Sequence, residues 1–147
     1  WADVTVSGFD TRFVTTHLES LWTENEVTPG SIQSRQLASD LADVTKPLVV
    51  MGDFNAVPDS AKLVNFCERL DLQIPTREFA SFPSWKPQRA LDHVLVSRSL
   101  ETARAEVIDV GYSDHLPVGV EIALPGDIEL KPAAPPLAGF DLADAQT

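Results

Sequence analysis

Apolar and polar residues alternate from Ala2 to Gly8, with Val4 and Val6 set against Thr5 and Ser7. A period of two predicts a strand. Gly8-Phe9-Asp10 is a turn signal, and Arg12-Phe13-Val14-Thr15-Thr16-His17-Leu18 predicts a second strand with His17 at its exit. The pair is expected to form an antiparallel hairpin. Glu19 to Gly30 is polar, ends in Thr28-Pro29-Gly30, and reads as a loop with a helical turn. From Ser31 to Val44 the spacing becomes helical: Ile32, Leu37, Leu41 and Val44 share one broad face, Ser31 is placed to cap it, and Lys46-Pro47 stops it. Leu48 to Met51 is an unbroken apolar run that breaks at Gly52, the pattern of a strand covered on both faces.

Ser60 to Leu70 predicts a second helix, capped by Asp59 or Ser60. Asp71 to Gln88 is irregular, with Pro75, Pro83 and Pro87 among the aromatics Phe79, Phe82 and Trp85. Strands are expected over Leu91 to Ser97, Ala103 to Val110 and Val118 to Leu124, with Gly111 to His115 as a loop. Pro125 to Thr147 is rich in Pro and Ala without a sustained apolar period and reads as a mostly disordered tail. Residues 1–124 therefore form one unit, of mixed α/β layers.

Composition narrows the function. At 147 residues with 44% apolar content, the chain is long enough for one domain with its own core. Eleven Lys and Arg against 22 Asp and Glu give a formal charge of -11. That works against binding long nucleic acid, which rests on cations neutralising phosphates, though a local basic cleft can coexist with an acidic surface. The single Cys67 has no partner for an internal disulfide, which tilts only slightly toward a reducing, cytoplasmic setting. Its place in Leu63-Val64-Asn65-Phe66-Cys67-Glu68-Arg69-Leu70 is that of a packed thiol. No apolar run reaches membrane-spanning length, and no signal sequence is visible. The chain begins at Trp1 without an initiator Met, as expected of a segment whose true start lies upstream.

Four polar clusters stand at strand ends: His17, the Asp53/Asn55 pair, Asp92, and the Asp114/His115 pair. Asp53 and Asn55, two apart beyond a strand, aim their side chains the same way. Hard oxygen donors suit a hydrated divalent cation, imidazoles can donate to a phosphate, and an Asp can orient a His. Together they supply what phosphoester hydrolysis needs: a nucleophilic water, charge stabilisation and help for the leaving oxygen. Each also has a plainer reading. An Asx-rich turn after a strand is common, a lone His after a strand is more often structural, and Ser113-Asp114-His115 can be a polar turn. His93 alternates with Asp92 and reads as structural. Trp22 and Trp85 sit in loops where an aromatic either lines a pocket or packs.

Thr16-His17-Leu18, Gly52-Asp53-Phe54-Asn55, Leu91-Asp92-His93-Val94 and Ser113-Asp114-His115, in that order, resemble the signature of the endonuclease/exonuclease/phosphatase superfamily. Phe82-Pro83-Ser84-Trp85 resembles its bacterial members. The resemblance implies the carboxyl-terminal half of a four-layered α/β sandwich, two β-sheets packed face to face with helices outside. It implies that Asp53 activates or positions the attacking water, and that Asn55 orients the water or the phosphate. His17 donates to a phosphoryl oxygen, and His115 stabilises the transition state with Asp92 holding its ring. Asp114, Asp53 and Asn55 would lie at the metal, Mg²⁺ with Mn²⁺ as the alternative.

The family pattern also contains an Asn-bearing strand and a Glu-bearing strand ahead of the His-Leu motif, and this sequence starts just upstream of that motif. Glu19 and Glu24 follow His17 and cannot replace that Glu. The resemblance therefore implies incomplete metal binding, little activity alone, exposed sheet surface, and a partner in the amino-terminal half of the domain or another chain. Acidity favours small or lipid-derived phosphodiesters over DNA. The nuclease alternative rests on Arg77, Lys86 and Arg89 around Trp85, which could grip a strand. A non-catalytic module keeping half the fold is the third reading.

Overall fold

The computed structural model describes residues 1–6, 8–20 and 28–123. The expected tail beyond residue 124 and the loop holding Trp22 lie outside these residues. The described elements are β1 (Ala2–Val6), β2 (Phe9–His17), α1 (Pro29–Leu41), β3 (Leu48–Asp53), α2 (Ala61–Arg69), β4 (Leu72–Gln73), β5 (Asp92–Ser97), β6 (Glu101–Val107) and β7 (Val118–Ala123). Five strands form one sheet in the order β1-β2-β3-β5-β4, and β6 and β7 form a second. The β1–β2 hairpin is antiparallel, β2 and β3 are parallel, and β5 runs antiparallel to β3.

The large sheet is covered on both faces, as its apolar strands require. Val14, Val50 and Leu95 face the helices, where they pack with Leu41, Leu63, Phe66 and Phe54. Phe54 is fully buried, edge-on to Phe66 with ring centroids 5.8 Å apart. Burying a side chain of that size is worth about 1.5–3 kcal/mol. Residues of the opposite parity, Phe13, Val49, Met51, Val94 and Val96, meet Val120 and Ile122 of the second sheet. The described chain is thus helices, a five-stranded sheet and a two-stranded sheet in layers, an α/β architecture with two packed sheets.

Local chemistry accounts for most boundaries. Thr28 caps α1: its Oγ1 accepts from the Ser31 N–H and the Ser31 Oγ accepts from the Thr28 N–H, both at 3.1 Å, with Pro29 opening the helix. Ser31 is therefore the reciprocal member of a capping box rather than the cap. The buried face of α1 runs through Gly30, Ser34, Ala38 and Leu41, whereas Ile32 is 53% exposed. Leu37, Leu41 and Val44 of the expected face pack on the core, and the small residues beside them let the helix approach its neighbours closely. Ser60 caps α2, and Leu63, Phe66 and Cys67 at helical spacing are buried. Burial pushes the Cys67 thiol up to about 11, as befits a packed, unreactive cysteine. No helix among the described residues is long and apolar enough to cross a membrane.

Two features of the irregular stretch were not legible. Leu72 and Gln73 add a two-residue strand at the edge of the large sheet, and Phe82 bridges Arg89. β6 also begins at Glu101 rather than Ala103, and it carries an irregularity between Thr102 and Arg104 that breaks its alternation.

Candidate active site

Strand register gathers the site. His17 pairs with Asp53, and Asp53 pairs with Asp92, so three side chains lie in one row across β2, β3 and β5. They share the parity of Phe13, Val49 and Val96, which places them at the end of the seam between the two sheets. Gly52 permits this pairing. Its φ is 138°, and a Cβ there would stand 1.8 Å from the Thr16 carbonyl oxygen of β2. His93 points to the other face, fully buried at 0% exposure, with its Nε2 2.8 Å from the Ala56 carbonyl. It is structural, as its alternation with Asp92 predicts.

The loop before β7 brings His115 onto this row. Its Nδ1 lies 2.7 Å from Asp92 Oδ2, and its Nε2 lies 4.0 Å from Asp53 Oδ2. The His17 Nε2 approaches the same Asp53 oxygen at 3.6 Å. Partial burial pulls the His115 pKa down, but its hydrogen bond to Asp92 and the charges of Asp92, Asp53 and Asp114 outweigh this, and the net shift is upward. With Nδ1–H donated to Asp92, Nε2 is left facing Asp53. Phe82 packs against the His115 ring, tilted 44° to it with centroids 4.8 Å apart.

Ser81 has no counterpart in the sequence reading. It is fully buried, donates from Oγ to Asp92 Oδ2 at 2.5 Å, and accepts from the Leu116 N–H through its carbonyl at 2.8 Å. One serine thus holds the carboxylate that holds the histidine and also ties down the histidine's loop. Nothing in the periodicity marks Ser81; only its nearness to Phe82-Pro83-Ser84-Trp85 could have drawn attention to it. Lys62 was also missed. It reaches from α2 to the carbonyls of Phe54 and Asn55 at 2.7 and 3.3 Å. Burial lowers its pKa, with the charge of Asp53 opposing.

The Asp53/Asn55 pair is arranged differently from simple alternation. Asn55 has φ 45° and donates its backbone N–H to Asp53 Oδ1 at 2.8 Å and its side-chain Nδ2 to the Leu18 carbonyl at 2.8 Å. Its amide oxygen is the side-chain acceptor that remains. Asp114 is exposed, accepts from Ser113 Oγ at 3.3 Å, and acts on His115 through its charge. Asp53, Asp92 and His115 offer ligand atoms within 4.8 Å of one another, a grouping able to hold a metal ion. Within it Asp92 Oδ2 is engaged with His115 Nδ1 and Asp53 Oδ1 with the Asn55 N–H, and the exposed Asp114 is not part of this grouping. Carboxylate oxygens suit a hard divalent ion.

Fold and site together define a layered α/β protein that collects carboxylates and imidazoles at the strand ends of a two-sheet seam. The Endonuclease/Exonuclease/phosphatase family model matches residues 8–115, and the chain belongs to that family. The family contains phosphatases and nucleases, is generally dependent on divalent metal, and acts on phosphoesters. No curated protein matches the chain. Among solved structures, an endonuclease/exonuclease/phosphatase of Beutenbergia cavernae superposes with a TM-score of 0.70 at 22% identity, covering 84% of this chain and 38% of that one. A mannosyl-6-phosphatase of Bacteroides thetaiotaomicron gives 0.61 at 21% identity, covering 80% and 52%. The human Nocturnin catalytic domain gives 0.64 at 23%, covering 80% and 48%. The chain spans about half the length of the structures it resembles. At these identities the likeness is one of fold.

Proposed function

We propose that this chain carries the site of a metal-dependent phosphoester hydrolase acting on small or lipid-derived esters. The observation that supports it best is the convergence on Asp53 Oδ2 of two imidazole Nε2 atoms, from His17 at 3.6 Å and His115 at 4.0 Å. In this reading Asp53, the amide oxygen of Asn55 and Asp114 would hold the cation, Mg²⁺ or Mn²⁺. Bound there, it would supply charge neutralisation on the phosphoryl oxygens.

The chain's own residues do the rest. Asp53 positions and deprotonates the attacking water. Asn55, pinned through Nδ2 to Leu18, presents its carbonyl oxygen in a fixed direction and orients that water. His17, exposed at the strand exit, donates to a phosphoryl oxygen. His115, whose protonated form Asp92 favours, offers its Nε2–H to the developing charge of the transition state. Ser81 keeps Asp92 from rotating. We further propose that the strands this chain does not share with its structural relatives come from an upstream segment or a second chain. That is consistent with the half-length match and the exposure of Trp1, Val4 and Ile108.

The test is hydrolysis of bis(4-nitrophenyl) phosphate with Mg²⁺ and again after chelation, with and without the complementary half of the fold. Asp53→Ala is expected to lower kcat/KM about 10²–10⁴-fold. Metal-independent turnover, or an Asp53→Ala protein as active as its parent, refutes the reading. Failure of the completed fold to hydrolyse any phosphoester would favour a non-catalytic module. The nuclease alternative is weakened by the net charge of -11 and by Arg77, which is engaged with Asp59. Competition by plasmid DNA separates the two.

A further inference from the structure

Beside the catalytic row lies an open depression of about 560 Å³ whose wall includes Trp85, Tyr112, Ser84, Ser113, Asp109 and Asp114. Trp85 is 76% and Tyr112 95% exposed, and with Trp1 they are the three most exposed aromatics among the described residues. Large aromatics left in water on one concave patch mark a binding surface more often than a packing accident. The two loops that carry them are tied together. The Ser84 N–H donates to the Asp114 carbonyl at 2.8 Å, and the Ser84 Oγ donates to the Ser113 carbonyl at 2.6 Å. The platform is therefore built, and it adjoins His115 through Asp114.

We infer that the Trp85–Tyr112 depression is the subsite for the non-phosphate part of the substrate, and that it takes a hydroxylated ring, a sugar. This rests on the hydrolase reading of the adjoining site. The aromatic faces supply stacking area for the ring's C–H face. A carboxylate such as that of Asp109 only accepts hydrogen bonds, so it favours a ligand rich in O–H donors and repels further anions. A polyanionic strand is disfavoured in the same depression for that reason. The phosphate of a sugar phosphoester would then reach His115 and Asp53, while the ring rests on Trp85.

The test is binding in Mg²⁺ buffer, read from the Trp85 indole N–H and His115 ring NMR signals. The probes are glucose 6-phosphonate, ethylphosphonate and the 5′-phosphonate of adenosine, whose P–C bonds resist hydrolysis. Glucose 6-phosphonate is expected to shift both signals and ethylphosphonate only that of His115. Trp85→Ala and Tyr112→Ala should each raise the Kd of glucose 6-phosphonate about tenfold and leave that of ethylphosphonate unchanged. Equal affinity for the two, insensitive to both substitutions, overturns the subsite while leaving the hydrolase reading standing. A tenfold preference for the adenosine compound overturns the sugar assignment. No response of His115 to any phosphonate overturns both.

Discussion

Replacing Gly52 by Ala tests whether the site depends on one backbone contact. The added Cβ would stand 1.8 Å from the Thr16 carbonyl oxygen and 2.9 Å from its carbon, both main-chain atoms of the neighbouring parallel strand. No rotamer change can relieve such a contact, so β2 and β3 must part or slide. Overpacking of this kind costs about 1–3 kcal/mol. Holding a non-glycine residue at φ 138° adds strain of about 1–3 kcal/mol. The expected loss is therefore about 2–6 kcal/mol, a large share of the stability of an ordinary domain. Urea denaturation followed by circular dichroism should show the midpoint falling by about 1–3 M. Two controls separate the causes. Gly8→Ala, at φ 86° with nothing within 4 Å of the new Cβ, feels only the backbone strain. Gly111→Ala has open space and no unusual φ, and should be nearly neutral. A Gly52→Ala protein that unfolds within about 0.3 M of its parent would refute the close-approach account.

Other expectations follow from the same geometry. Lys62→Met removes two charged hydrogen bonds to the carbonyls after β3 and should cost about 1–3 kcal/mol in urea unfolding. For His93, burial pushes the pKa below 6.5 against the Ala56 carbonyl and nearby carboxylates, so the folded chain refuses a proton that the unfolded chain accepts. Stability from this group therefore falls as pH drops below 6.5 toward the folded pKa. His115 has the opposite sign: its contribution is complete below 6.5 and is lost as pH climbs through its raised folded pKa. An NMR titration in chelated buffer should place the His115 midpoint above that of His93; the reverse order would contradict the site's electrostatics. Cys67 should resist iodoacetamide in the native protein at pH 8 and react in urea, since it is buried and its thiol pKa is about 11; prompt native labelling would show that α2 opens.

Legibility differed by the kind of signal. β1, β2, β3 and β5 were readable because each carries alternation or a short branched or aromatic apolar run bounded by turn signals. β4 was not, because two residues hold no period. Along α1 and just after it, Leu37, Leu41 and Val44 were legible as core-facing, whereas Gly30, Ser34 and Ala38 carry no hydrophobic signal and closeness of packing selects them. The candidate site divides similarly. His17, Asp53 and Asp92 could be singled out at strand ends, and His115 by its place next to Asp114. That the first three form one row depends on a parallel pairing across more than thirty residues and an antiparallel pairing across about forty, neither of which local pattern encodes. Ser81 and Lys62 act through hydrogen bonds to residues on other elements, so no local spacing announces them. The orientation of Asn55 was missed because φ 45° takes it out of strand alternation.

The row of His17, Asp53 and Asp92 also governs which changes in length the chain can absorb. Adding one residue within β3 ahead of Asp53 would turn that carboxylate toward the helices, and adding two would restore the side but carry it about 7 Å past His17 and Asp92. Natural variants should therefore keep 48–53 free of gaps and collect their insertions between α1 and β3, where the backbone is not yet committed to the sheet.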